Sequence, residues 1–104
     1  MSRWLPVAEV AECPPGSCLE RVVEDRIVAL FNVAGTFYAL DGVCPHQGGP
    51  LGKGCLDGAT VTCPWHGWQF DVTSGQSRLS KAVVQPKFEV RVEGSSILVN
   101  LEGA

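Results

Sequence analysis

The stretch CPWHGWQFD, residues 63–71, places a cysteine and a histidine three positions apart and surrounds them with two tryptophans. Thiolates and imidazoles are ligands of both zinc and iron–sulfur sites. A single Cys-x-x-His pair arises often by coincidence, however. Taken alone, the stretch is compatible with a piece of hydrophobic core, with a zinc site, or with half of a larger metal site.

The second histidine of the chain also lies beside a cysteine. His46 follows Cys44 after one residue, and the chain has only two histidines, His46 and His66. Sixteen residues, 47–62, separate the two pairs. Two Cys/His pairs on short loops supply the four ligands that a metal site requires, which favours ligation over coincidence.

The region between the pairs is typical of a functional loop. Residues 42–58 contain six glycines and two prolines, so the backbone can turn sharply and approach a bound group closely. Loops of this length inside a compact domain are uncommon and usually functional.

The ligand spacing favours an iron–sulfur cluster over zinc. Structural zinc sites usually combine Cys-x2–4-Cys with His-x3–5-His, whereas each half here mixes one cysteine and one histidine. In one class of two-iron cluster, two cysteines bind one iron and two histidines bind the other. The short Cys44-x-His46 spacing suits neighbouring irons, because the two side chains need not reach one metal. Zinc stays an alternative, and colour would distinguish the two metals.

Length and composition limit the fold and the partners. The chain has 104 residues, 45% of them hydrophobic, which predicts one domain spanning residues 1–104. A net charge of −3 argues against nucleic acid or an anionic membrane as the main partner. No secretion signal or transmembrane run is evident, and five cysteines are an odd number. We therefore expect a soluble cytoplasmic protein with reduced thiols.

Short apolar runs separated by turn residues predict strands. The predicted strands cover Val22–Val23, Ile27–Phe31, Phe37–Leu40, Ala59–Thr62 and Gly67–Val72, with a turn at residues 73–76. Near the C-terminus Phe88, Val90 and Val92 alternate with charged residues, and after Gly94 the apolar side chains Ile97, Val99 and Leu101 alternate again. This pattern predicts a hairpin with one buried face. No segment has helical periodicity.

The stretches CPHQGGPLGKG, residues 44–54, and CPWHGWQFDVTSGQ, residues 63–76, closely resemble the two cluster-binding loops of Rieske [2Fe–2S] proteins. The resemblance implies one [2Fe–2S] cluster, with Cys44 and Cys63 on the buried iron and His46 and His66 on the outer iron. It also implies an all-β fold, a Rieske-like antiparallel β sandwich or barrel with a small cluster-binding subdomain at about residues 43–70. A proline-containing loop covers the cluster in this family, and Val84–Pro86 is the candidate.

Departures from the family pattern indicate the subclass. High-potential members join the two loops by a disulfide, but the matching residues here are Gly49 and Trp65. Those members also place a serine two residues after the second histidine, where this chain has Trp68. Fewer hydrogen bonds to the cluster lower its potential, so we predict the low end of the family range of roughly −150 to +300 mV.

The resemblance implies an electron carrier rather than an oxygenase. A Rieske oxygenase needs a second iron site with two further histidines, and both histidines of this chain are already assigned. The chain resembles a free-standing, monomeric ferredoxin that accepts electrons from a flavin reductase and passes them to a terminal oxygenase, such as an aromatic-ring hydroxylating dioxygenase. The alternative is the Rieske-fold small subunit of a nitrite reductase-type complex.

The remaining notable residues have simpler expected roles. Alternation predicts that Trp68, Phe70 and Val72 are buried, whereas Trp65 shields the cluster or contacts a partner. Cys13 and Cys18 are expected to be free thiols in an N-terminal turn, with a disulfide or a second metal site as the alternative. Cys55 lies in the glycine-rich loop, and the ligand set is complete without it.

Overall fold

The structure, a computed structural model, describes residues 3–44, 48–65, 67–80 and 82–101. Within these residues the chain forms nine strands and two short 3₁₀ turns. The strands are β1 (Trp4–Glu9), β2 (Cys18–Val23), β3 (Arg26–Val33), β4 (Thr36–Asp41), β5 (Cys55–Asp57), β6 (Thr60–Thr62), β7 (Gln69–Asp71), β8 (Lys87–Glu93) and β9 (Ser96–Asn100); the 3₁₀ turns are Val10–Glu12 and Leu51–Lys53. The all-β prediction is confirmed.

The strands form two antiparallel sheets of different size. The larger sheet has the order β1-β9-β8-β4-β3-β2, and the smaller has the order β5-β6-β7. The edge strands β1 and β2 of the larger sheet contact each other, so this sheet curls into a nearly closed barrel. The smaller sheet contains both segments that flank Cys63.

The ribbon of β3 and β4 is buried on both faces. Side chains alternate across a strand, so Leu30 and Ala39 face a core inside the barrel together with Ile97 and Val99. Their neighbours face a second core, shared with the 3₁₀ turn and the small sheet, that contains Ala29, Phe31, Leu40, Leu51, Val61, Phe70 and Val72. This double burial explains why four consecutive residues of β3, Val28–Phe31, are all apolar.

The predicted C-terminal hairpin is confirmed, with one correction. Strands β8 and β9 pair with Val90 opposite Val99 and Val92 opposite Ile97. Val92 is 44% exposed, however, so its predicted burial is wrong. The reason is that β8 pairs with β4 only at Phe88 and Lys87, so β8 extends past the core before it reaches Val92.

Two strands escape sequence-based prediction. β1 contains Pro6 and an irregular register between Pro6 and Ala8, which hides its alternation. β5 lies inside the glycine-rich segment that we interpreted as loop. Among the described residues, no helix has the length and apolar character needed to cross a membrane.

Candidate metal centre

Cys44 lies in a tight loop that follows β4. Its backbone N–H donates to the carbonyl of Gly49 at 2.8 Å, and its own carbonyl accepts from the Gly48 N–H at 2.9 Å. Val43 and Pro50 form an isolated β-bridge at the base of this loop. These bonds fix the backbone on both sides of Cys44, so its side chain has a defined direction.

Cys63 lies in the second loop, between β6 and β7. Its backbone N–H donates to the carbonyl of Trp68 at 2.7 Å, which closes the loop just before β7 begins. Since β6 and β7 pair with each other through Thr62 and Gln69, the loop projects from the end of the small sheet.

The two loops bring the two predicted sulfur ligands together. Cys44 and Cys63 are each 1% exposed, and the Gly49 backbone, which accepts from the Cys44 N–H, passes close to the Cys63 sulfur. Both belong to the core between the β3–β4 ribbon and the small sheet. Two buried thiols that different loops bring into one core could bind a single metal ion through both sulfurs.

The electrostatics of Cys63 fit a metal ligand. Burial raises the pKa of the Cys63 thiol, the Trp65 backbone N–H donates to its sulfur and lowers that pKa, and the adjacent Cys44 raises it again. Two neighbouring buried thiolates repel each other unless a cation lies between them. A bound iron supplies that positive charge, so the donor set fits the iron–sulfur cluster that the sequence predicts.

The first loop packs directly onto the second at Gly49. A Cβ atom at Gly49 would lie 2.7 Å from the Cys63 Sγ and 3.0 Å from the Trp65 Cβ, so only glycine fits there. Gly49 and Trp65 are the positions that the high-potential pattern links by a disulfide. Here the loops meet at the same place by packing alone.

The histidine half of the predicted site lies outside the described residues. His46 and His66 are both in the gaps between the described ranges, so their assignment as ligands stays a prediction. Within the described ranges, no group of three or more His, Cys, Asp or Glu side chains is placed to hold a metal ion. The described part of the predicted site therefore consists of its two thiols.

The tryptophans of the second loop differ in exposure. Trp65 is 50% exposed and packs against Gly49 beside the Cys63 sulfur. Trp68 is partly buried, with its ring centroid 6.5 Å from that of Phe70. Phe70 and Val72 are fully buried, so the predicted alternation is confirmed. The predicted burial of Trp68 is confirmed only in part, because its side chain is partly buried.

The other three cysteines are free thiols, as predicted for Cys13 and Cys18. Cys13 is buried, and burial raises its pKa. Cys18 donates from its sulfur to the Gly54 carbonyl at 3.4 Å, and burial raises its pKa as well. Cys55 is exposed at the start of β5.

The predicted proline-containing loop lies against the first ligand loop. The Asp41 N–H donates to the Pro86 carbonyl at 2.9 Å. The buried side-chain amide of Gln85 donates to the carbonyls of Asp41 and Val43. That this loop covers the cluster stays a prediction. The role of Gln85 was missed, because an amide that reaches backbone carbonyls leaves no periodicity in the sequence.

These features define a small all-β protein in which two loops each contribute a buried cysteine to one core. The chain belongs to the Rieske [2Fe–2S] domain family, whose sequence profile matches residues 3–98. The predictions of the family and of one [2Fe–2S] cluster are thereby confirmed, and zinc is set aside.

Individual relatives are similar over nearly the whole chain. The ferredoxin component of the naphthalene 1,2-dioxygenase system of Pseudomonas aeruginosa is 31% identical over 95% of this chain and 96% of its own length. The 3-phenylpropionate/cinnamic acid dioxygenase ferredoxin subunit of Shigella boydii serotype 4 (strain Sb227) is 39% identical over 91% of each chain.

A solved structure is also similar along its length. One chain of the complex of reduced oxygenase and oxidised ferredoxin in carbazole 1,9a-dioxygenase superposes with a TM-score of 0.84 at 32% identity, covering 93% of this chain and 92% of that one. The relatives are ferredoxin components, which confirms the prediction of an electron carrier rather than an enzyme.

Proposed function

We propose that this protein transfers single electrons from a flavin-dependent ferredoxin reductase to a terminal oxygenase of the ring-hydroxylating dioxygenase type. The observation that carries the proposal is the pair of thiols, Cys44 and Cys63, both buried in one core at the meeting point of two loops. The ferredoxin relatives of two dioxygenase systems support the same role.

The proposed ligands are Cys44 and Cys63 on the inner iron and His46 and His66 on the outer iron. The domain spans residues 1–104, with its cluster-binding part at about residues 43–70. When bound, the cluster supplies a site that accepts and releases one electron.

The chain's own residues prepare the sulfur side of this site. Near-complete burial of Cys44 and Cys63 excludes water from both sulfurs. The Trp65 backbone N–H donates to the Cys63 sulfur and stabilises negative charge there. Gly49 leaves room for the two loops to close around the thiols.

Exposed apolar side chains beside the loops offer a surface for transient docking. Val43 is 42% exposed, Trp65 50% and Val84 56%. Gln85, next to Val84, is bonded to the Val43 carbonyl, and Trp65 packs on Gly49 of the first loop. A small surface of this kind suits weak redox encounters.

We assign the protein to the cytoplasm, in line with its free thiols. We also assign it as a monomer.

Electron paramagnetic resonance on the dithionite-reduced protein tests the proposal, together with iron and sulfide analysis. We expect one [2Fe–2S] cluster per chain and an average g value clearly below that of all-cysteine clusters, because histidine ligands replace two thiolates. A colourless, silent sample that contains zinc would contradict the proposal.

Matched cysteine variants locate the site. Cys63→Ser, His46→Ala and His66→Ala should each abolish the Rieske signal. Cys55→Ser changes an exposed thiol in the segment between the two loops and should leave iron content and spectrum unchanged. Loss of the cluster in the Cys55 variant, or its retention in the Cys63 variant, would refute the ligand assignment.

The sequence left a nitrite reductase-type small subunit as the alternative. The curated relatives above are dioxygenase ferredoxins, which favours the electron carrier.

A further inference from the structure

Gln85 makes an unusual set of contacts beside the first ligand loop. The residue is 2% exposed, and its side-chain Nε2 donates to the Asp41 carbonyl at 2.7 Å and to the Val43 carbonyl at 2.6 Å. A glutamine amide has two N–H donors, so these two bonds use both of them.

Each of the two carbonyls belongs to a peptide group that is also held at its other end. The Val43 carbonyl and the Cys44 N–H share one peptide plane, and that N–H donates to the Gly49 carbonyl at 2.8 Å. The Asp41 carbonyl shares its plane with the Gly42 N–H, which donates to the Ile27 carbonyl at 2.8 Å. With Gln85 in place, neither plane can rotate without breaking a bond.

The backbone of Gln85 is itself fixed. Its N–H donates to the Gly75 carbonyl at 2.7 Å, and the next residue, Pro86, accepts from the Asp41 N–H. A Cβ at Gly75 would lie 2.2 Å from the Gln85 carbonyl oxygen, so the two segments are in close contact. The side-chain amide of Gln85 is therefore attached to a backbone segment that hydrogen bonds hold in place.

We propose that Gln85 is a positioning residue for the metal centre: its side-chain amide fixes the two peptide planes that lead into Cys44 and so sets the direction of the Cys44 sulfur. This inference rests on the proposed function, because Cys44 matters here as an iron ligand. Groups that orient a ligand act on affinity and potential as well as on fold.

The test compares two glutamine-to-leucine variants of the full-length, cluster-loaded protein. Gln85→Leu keeps the approximate volume and removes both donors. Gln76→Leu is the matched control, because the Gln76 Nε2 also bridges backbone carbonyls, those of Ser77, Ser80 and Val83, which do not lead into a predicted ligand.

For Gln85→Leu we expect loss of iron to a chelator about tenfold faster than in the wild type, the lower end of the effect of removing a ligand-orienting partner. The electron paramagnetic resonance lines should broaden and the reduction potential should shift. Gln76→Leu should keep the wild-type spectrum and potential, even where it lowers the unfolding temperature. Equal behaviour of the two variants would overturn the proposal.

Amide hydrogen exchange provides a readout that does not depend on iron. In the protein as purified, Gln85→Leu should speed exchange at Gly42 and Cys44, whereas Gln76→Leu should not. If the wild type binds no cluster, the proposed function fails while this measurement still tests the clamp on the peptide planes. If Gln85→Leu does not fold, Gln85→Asn, which keeps a shorter amide, should show the same changes at smaller size; wild-type exchange and spectra in that variant would refute the inference.

Discussion

Asp71, the last residue of β7, fixes the turn that ends at Gly75, the residue whose carbonyl accepts from the Gln85 N–H. Its Oδ1 accepts from the Thr73 N–H at 2.9 Å and from the Thr73 hydroxyl at 2.6 Å. The hydrogen bond from the Thr73 side chain is the main reason that the pKa of the Asp71 carboxyl is lowered. The Asp71 carbonyl in turn accepts from the Gly75 N–H at 2.7 Å, so one residue organises the whole turn.

Replacing the Thr73 hydroxyl should give a stability loss that depends on pH. Because the folded-state pKa of Asp71 is depressed, its contribution is present above the unfolded-state pKa and disappears as pH falls through the folded-state pKa. We expect Thr73→Val to lower the free energy of unfolding by about 1 kcal/mol at neutral pH. The difference from the wild type should shrink once the pH falls below the ordinary range of aspartate pKa values. Urea unfolding across a pH series measures this.

Thr62→Val is the control for that series. The Thr62 hydroxyl accepts from the Gln69 side-chain amide at 3.1 Å. Because both groups are neutral, the stability that Thr62→Val loses should not change as the pH falls. A Thr73→Val penalty that stays constant at low pH would show that the Asp71 carboxylate is not what the hydroxyl stabilises.

Single residues carried most of the prediction of the metal centre. Cys44 and Cys63 were predicted as ligands because ligand chemistry limits residue type and spacing, and the structure buries both of them in one core. The positioning amide of Gln85 was not identifiable, since its partners are backbone carbonyls more than forty residues away. Hydrogen bonds to the backbone do not depend on the identity of the partner side chain, so they leave no sequence pattern.

At the level of elements, the turn at Gly75 joins the small sheet to the proline-containing loop. Gly75 has φ of +82°, and a Cβ there would lie 2.2 Å from the Gln85 carbonyl oxygen. The positive φ is a backbone conformation that disfavours any side chain, and the nearby oxygen leaves no room for a Cβ. Gly16 separates the two effects, because it has φ of +84° with nothing within 4 Å of a Cβ.

The alanine variants of these two glycines should therefore differ. Gly16→Ala carries only the cost of the left-handed conformation, about 1–2 kcal/mol. Gly75→Ala adds an overpacked contact, so its free energy of unfolding should fall by a further amount of about 1–3 kcal/mol. Urea unfolding measures both losses. Equal losses would mean that the Gln85 segment moves aside freely, which the bonded geometry does not allow.

Elements were predictable where one face is buried and the alternation is regular. The hairpin of β8 and β9 follows such a pattern, and its register is observed. β1 was missed because of Pro6 and its bulge, and β5 because three residues in a glycine-rich segment are too few to show a period. Strand ends such as Val92 depend on how far the neighbouring strand extends, which is a tertiary property.

The whole molecule consists of two cores that share one wall. The β3–β4 ribbon directs Leu30 into the barrel core and Leu40 into the core that contains Cys44 and Cys63. The sequence predicted the ribbon as strands but did not predict that both faces are covered. The metal centre therefore depends on packing against the barrel wall as well as on its own loops.

Removing one leucine from each face of this wall should separate global stability from retention of the metal centre. Leu30 and Leu40 are both fully buried, so each alanine variant should lose about 2–5 kcal/mol of unfolding free energy. Below the unfolding transition, only Leu40→Ala should speed amide exchange in the small sheet and loss of the visible absorbance of the cluster, because its cavity forms in the core that contains the two thiols. Equal rates of cluster loss in the two variants would mean that the centre responds to global stability alone, and the second core would then have no separate role in holding the cluster.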